Sequence, residues 1–278
     1  MIIEYPKIDA IFCRNLETKK IEEGNYRDKA FEYLKNIDWE FTEKIDGTNI
    51  RIYWDGHKIS FYGRTDRAQI PQHLANYLIN KFSGNAMEEI FEQEFGEKEV
   101  ILFGEGYGAK IQNGGDYIQN GVSFALFDVY VNETWLNGDS VYEIADKLNI
   151  ETVPILFKGK LQEGVAFVKT FPMSTIGNAK MEGVVARPLL ELQNNNGKRI
   201  ITKIKVVDFK WKGGNKMSLD KAIEHKKEHR KQYEGSKYYE KSCRNHGNDY
   251  IARSDRMHRN NKNLDKFKSK EEDYRKGN

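Results

Sequence analysis

Residues 41–56 read FTEKIDGTNIRIYWDG, and the pattern of this stretch decides how the chain around it must fold. Phe41–Lys44 and Thr48–Trp54 alternate apolar and polar side chains, the period of two expected of half-buried strands. Asp55-Gly56 then reads as a hairpin turn that returns the chain through His57–Arg64 as another strand. Between the first two strands lies Lys44-Ile45-Asp46-Gly47. A lysine, an aspartate and a glycine at this spacing arise by chance in roughly one chain in ten of this length, and alone they fit a solvated turn. The meaning of Lys44 therefore depends on what stands downstream.

Pro71–Phe82 and Ala86–Phe95 read as helices, with Leu74, Leu78 and then Ile90 on one side. Glu99–Glu105 is a β-rich run that ends in glycines, and Gly121–Asn132 (GVSFALFDVYVN) is strongly strand-like. Val141, Ile144, Ala145 and Leu148 make Ser140–Leu148 an amphipathic helix. Glu182–Arg187 and Arg199–Val207 read as two further strands. Strands joined by hairpins and interrupted by helices predict an α+β fold with largely antiparallel sheets.

After Trp211-Lys212-Gly213-Gly214 large apolar residues become sparse. We place a boundary near 213–218, separating a globular domain (1–213) from a basic, polar extension (214–278). The extension is expected to be partly helical, for example over Ser218–Glu234, or disordered, most of all in its last 30 residues. Residues 219–278 hold 17 Lys and Arg against 11 Asp and Glu, while residues 1–218 hold 28 against 31. A slightly acidic body with a basic tail suggests a polyanionic partner such as nucleic acid, although a charge run also serves solubility alone. No apolar run is long enough to span a bilayer and the start has no signal-peptide pattern, so no membrane partner is expected. Two cysteines among 278 residues cannot form a disulfide framework, which points to a reducing, cytoplasmic setting.

Six segments now line up: EKIDGTN (Glu43–Asn49), YGRTDR (Tyr62–Arg67), FGEGYG (Phe103–Gly108), FALFDV (Phe124–Val129), EGVVAR (Glu182–Arg187) and KIKVVDF (Lys203–Phe209). In order and spacing they resemble the covalent nucleotidyltransferases: ATP-dependent DNA and RNA ligases and mRNA capping enzymes. The details are most similar to the nick-sealing RNA ligase 2 branch. The resemblance covers about residues 40–210 and implies an adenylyltransferase fold whose Lys44 attacks the α-phosphate of ATP, forms lysyl-AMP and expels pyrophosphate, dividing one hard step into easier ones. It implies that Glu43, Ile45, Asn49, Arg64, Glu105, Phe127, Lys203 and Lys205 line the nucleotide site. Phe127 would stack on adenine, and Arg64, with Arg67 as its companion, would contact the AMP phosphate and orient a 3′-OH. Glu182, helped by Glu105, would hold Mg²⁺ or Mn²⁺, since hard cations prefer carboxylate oxygen. Lys203 and Lys205 share a strand face and can reach one phosphate.

Asn49 stands where DNA ligases and capping enzymes carry arginine, and G-T-N matches the RNA ligase 2 branch, although that branch often has histidine in place of Asp46. About 70 residues follow Lys205 without strand periodicity, too few and too charged for a closing OB domain. The expectation is an RNA ligase acting on RNA ends or a nicked RNA-containing duplex, monomeric, located in the host cytoplasm if phage-encoded. A DNA ligase, a GTP-dependent capping enzyme and an inert RNA-binding module are the alternatives. His225, His229, Cys243 and His246 have spacings seen in zinc sites, but His-rich basic tails are commonly just solvated.

Overall fold

The computed structural model describes residues 2–209. The boundary near 213–218, the basic extension with its helix, and the four histidine and cysteine positions lie outside them. In chain order the elements are β1 (Asp9–Ala10), β2 (Phe12–Arg14), β3 (Ile21–Tyr26), α1 (Lys29–Tyr33), β4 (Trp39–Lys44), β5 (Thr48–Trp54), β6 (Ile59–Tyr62), α2 (Gln72–Phe82), α3 (Asn85–Phe95), β7 (Val100–Gly108), β8 (Val122–Val131), β9 (Thr134–Trp135), α4 (Gly138–Lys147), β10 (Glu151–Thr152), β11 (Ile155–Gly159), α5 (Leu161–Val168), β12 (Gly183–Pro188) and β13 (Thr202–Lys205).

Two sheets carry the fold. One runs β1-β13-β12-β4-β11, the other β10-β8-β7-β5-β6 with β9 attached to β8. Pairing is antiparallel except for β1 on β13 and β10 on β8. The α+β expectation with largely antiparallel sheets therefore holds. Ile45–Gly47 is the whole connection between β4 in the first sheet and β5 in the second. The K-x-D-G stretch is thus the passage from one sheet to the other, which no solvated hairpin turn would be.

Each sheet has its own core. Ile50, Ile52, Trp54, Leu102 and Phe124 of the second sheet pack against Leu74, Leu78 and Phe82 of α2, Phe91 and Phe95 of α3, and Ile144 of α4. Spacings of four residues put those side chains on one helical face. Ile90 does not join them: it is 36% exposed, and Phe91 takes the inward position. Under the first sheet Trp39, Phe41, Val184 and Ile204 meet Leu161 and Val165 of α5 and Phe31 of α1. Truncating a buried aromatic of this kind to alanine typically costs about 3–5 kcal/mol. A third cluster gathers Ile45, Tyr107, Tyr117, Ala125, Val153, Ile176 and Ala179, with the half-buried Phe127 packed against it. One of its members, Ile45, directly follows Lys44 in the chain.

Candidate active site

Lys44 is the last residue of β4, Gly183 the first of β12 and Lys205 the last of β13. The register places Gly183 opposite both lysines, so the three form one row across adjacent strands. A side chain at Gly183 would have its Cβ 2.2 Å from the Ile204 carbonyl oxygen, and glycine alone lets the strands close here. Glu182, just before that glycine, bridges the row. Lys44 Nζ donates to its Oε2 at 2.6 Å, and Lys205 Nζ lies 2.6 Å from its Oε1. The three side chains are 25%, 18% and 31% exposed for Lys44, Glu182 and Lys205, so they remain open to a ligand. Lys203 lies two residues back on β13, with no carboxylate in ion-pair range among the described residues. Burial first, then Lys205, Lys44 and Lys7, holds its pKa below the usual lysine value.

The second sheet supplies the facing wall. Asn49 on β5 is directly opposite Glu105 on β7, so both project from the same face. Glu105 is half-buried, and desolvation pushes its carboxyl up to about 8; nearby Lys44 and the Gly47 N–H pull it down, Glu182 and Asp46 push it further up. A cation bound beside it would favour the ionised form and draw it back down. Gly47 has no room for a side chain, because a Cβ would stand 2.4 Å from the Gly106 carbonyl oxygen and 2.9 Å from Glu105 Cγ. The lysine loop thereby sits hard against the strand that carries Glu105. Asn49 Oδ1 is buried and accepts no hydrogen bond, an orphaned acceptor that a hydrated cation or a ligand hydroxyl would satisfy.

Oxygen donors of this kind fit a hard divalent cation: Glu182, Glu105 and the free Asn49 oxygen. Among the described residues no group of three or more His, Cys, Asp or Glu could enclose a metal unaided. A cation here would complete its shell with water and phosphate oxygens, as Mg²⁺ commonly does.

Phe127 owes its direction to a bulge. Phe103 pairs with Asp128 and Gly104 with Leu126, which leaves Phe127 unpaired between them. A bulge re-aims its extra side chain. Phe124 and Leu126 instead go into the core as expected, while Phe127 meets Tyr5 edge-on at 5.0 Å. Arg64 and Arg67 lie in the exposed turn after β6, which ends at Tyr62 and not at Arg64. Fully buried Arg51 holds that turn: it donates to the Gly63 carbonyl at 2.8 Å and to Asp66 at 2.8 Å, and binds the Ile2 and Ile3 carbonyls at 3.2 Å. Ile45 is buried in the third cluster. Glu43 points its carboxylate away from Lys44, into the turn at Ser174 and Thr175.

Sequence reasoning missed three supports. Asp46 accepts from Asn113 Nδ2 at 3.0 Å while its own N–H donates to Tyr117 at 3.1 Å, pinning the lysine loop to residues 109–121. Buried Asp128, next to Phe127, takes hydrogen bonds from Tyr5, Arg187 and Arg199. The third is the Glu43 contact. The signal was present for Asp128, a charge inside an otherwise apolar run, and for Arg187, a charge near the end of one; Tyr5, Asn113 and Ser174 carried none.

A family model described as RNA ligase matches residues 37–205. Solved structures of a Naegleria gruberi RNA ligase share the fold. A variant solved apo is 23% identical over 64% of this chain and 52% of its own, with a TM-score of 0.50. Two variants with ATP and Mn are 22% and 21% identical, cover 73% of this chain and 56% and 62% of their own, and have TM-scores of 0.52 and 0.51. The chain thus spans little more than half the length of these structures. No curated protein matches. Among the described residues no helix is long and apolar enough to cross a membrane.

Proposed function

Since the chain belongs to the RNA ligase family, we propose that it is an ATP-dependent RNA ligase that joins an RNA 3′-OH to a 5′-phosphate. AMP would pass from ATP to Lys44, from Lys44 to the RNA 5′-phosphate, and leave as the 3′-OH attacks. The observation that carries this reading is the carboxylate of Glu182 held between the Lys44 and Lys205 ammonium groups at 2.6 Å each. That contact orients Lys44 Nζ and gives it an acceptor for a proton. In the first step the Lys44 N–P bond forms as the bond to pyrophosphate breaks, and Lys203 and Lys205 meet the negative charge on the phosphates. Phe127 offers adenine a flat face beside the third apolar cluster. The turn held by Arg51 presents Arg64 to the AMP phosphate and the 3′-OH. Glu182, Glu105 and Asn49 would hold Mg²⁺ or Mn²⁺, which when bound neutralises phosphate charge. The ATP and Mn in the Naegleria structures support these choices. The partner is RNA, the protein acts as a monomer, and it works in the cytoplasm.

Two measurements test the reading. Incubation with labelled ATP should leave a covalent adduct that Lys44→Ala abolishes; a persisting adduct would mean a different nucleophile. Matched 5′-phosphate nicks whose 3′-OH strand ends in ribose or deoxyribose should be sealed only at the ribose end. Equal sealing of the all-DNA nick would make the protein a DNA ligase, and labelling by GTP in preference to ATP a capping enzyme.

A further inference from the structure

Glu43 immediately precedes the nucleophile, and strand alternation turns its side chain to the opposite face of β4. Its residue is 1% exposed. The carboxylate accepts hydrogen bonds from Ser174 Oγ, from the Thr175 N–H at 2.9 Å and from Thr175 Oγ at 2.5 Å. Ser174 Oγ also accepts from the Ile176 N–H at 2.9 Å, so the anchorage extends along three consecutive residues.

The anchored segment is a closed loop. Ser174 N–H donates to the Ala179 carbonyl at 2.9 Å and Met181 N–H to the Pro172 carbonyl at 3.1 Å. The loop delivers Ile176 and Ala179 into the apolar cluster that holds Ile45, Tyr107 and Ala125 and against which Phe127 packs. Burying a carboxylate costs several kcal/mol before its hydrogen bonds offset it, and an apolar side chain would close the sheet more cheaply. The charge therefore does more here than fill space.

We propose that Glu43 is a positioning residue whose carboxylate fixes the 172–181 loop, so that Ile176 and Ala179 wall the purine side of the nucleotide pocket. It sets ATP affinity and base selectivity, and leaves the bond-making at Lys44 to the lysines and Glu182. This rests on the adenylyltransferase reading above. A wall that touches substrate and transition state alike contributes uniform binding, whose loss raises KM and spares kcat.

The test compares wild type, Glu43→Gln and the double variant Ser174→Ala/Thr175→Val, well below their melting temperatures. Lysyl-AMP formation is followed against ATP and GTP concentration, with amide hydrogen exchange measured in parallel. In the double variant, KM for ATP should rise about tenfold with kcat within about threefold, and the preference for ATP over GTP should shrink. Exchange should accelerate in residues 172–181 and not in β13. Glu43→Gln keeps an acceptor oxygen and should fall between wild type and the double variant. An unchanged KM, or a loss confined to kcat, overturns the proposal. If the wild type forms no adduct at all, the adenylyltransferase reading fails; unchanged exchange at 172–181 in the double variant then overturns the anchoring role separately, and accelerated exchange upholds it.

Discussion

Replacing Asp128 by asparagine should be among the most damaging near-isosteric changes available to this fold. Asp128 is fully buried, and one oxygen, Oδ2, receives all its bonds: Tyr5 at 2.8 Å, Arg187 Nη2 at 3.0 Å and Arg199 Nη1 at 2.7 Å. Its other oxygen is buried without a partner. An asparagine can place its carbonyl oxygen at Oδ2 and keep the three acceptances, with its amide at the unpartnered position. Shape and hydrogen-bond count are therefore nearly conserved, and what disappears is the negative charge. Arg187 is left without a formal countercharge in this knot, while Arg199 keeps its two contacts to Glu191. Removing one member of a buried ion pair typically costs about 3–5 kcal/mol. For a chain of this size each kcal/mol shifts the melting temperature by roughly 2–4 °C, so Asp128→Asn should melt about 6–20 °C lower. Circular dichroism melts of both proteins in the same buffer give the answer. A loss under about 1 kcal/mol would refute the reasoning, because it would mean that desolvation already cancels the attraction in the native knot.

Two other outcomes follow from the site. Gly183→Ala forces a Cβ to within 2.2 Å of the Ile204 carbonyl oxygen and 2.8 Å of Lys205 Cα; it should destabilise the fold by about 1–3 kcal/mol and slow adduct formation at least tenfold by parting Lys205 from Glu182, and a variant with wild-type adduct kinetics would dissociate the strand row from the chemistry. The Glu105 carboxyl is raised in the folded state to about 8 from an ordinary value of 4.5. The folded protein thus holds a proton that the unfolded chain has lost between those values, so this group's contribution to stability declines as pH rises from about 4.5 to 8 and is flat above. The melting temperature of Glu105→Gln minus that of wild type should accordingly grow between pH 5 and pH 8; a difference independent of pH would show that Glu105 is ionised in the fold.

Much of this was legible because it is local. The alternation in Phe41–Trp54 gave both strands and the short loop between them, and the six segments named the residues that the register then brings into one row. The returning strand was read two residues too long. Its alternation continues to Arg64, yet the Arg51 guanidinium captures the Gly63 carbonyl and Asp66 and turns the chain away. Ile90 was placed inward because helical spacing alone does not say which of two adjacent apolar residues faces the sheet; Phe91 outcompetes it with more area to bury. The N-terminal strands and β11 had no signal of their own. β1 is two residues long and pairs with a strand about 190 positions away, and β11 completes the first sheet only because β4 offers it an edge. Glu43 was read only as part of the nucleotide site; its bond to the loop could not be, since nothing in Ser174-Thr175 announces a carboxylate 131 residues upstream.

The row of Lys44, Gly183 and Lys205 has a consequence for the chain during its own synthesis. Lys44, the nucleophile proposed above, is made early and its charge partners late, and β13, which brings Lys203 and Lys205, is the last strand among the described residues. Until the ribosome has delivered it, Lys44 faces no second lysine and Glu182 has only half its ligation. Under the function proposed above, a partly made chain lacks two of the groups that adenylylation calls on, and they come into place together with the closure of the sheet.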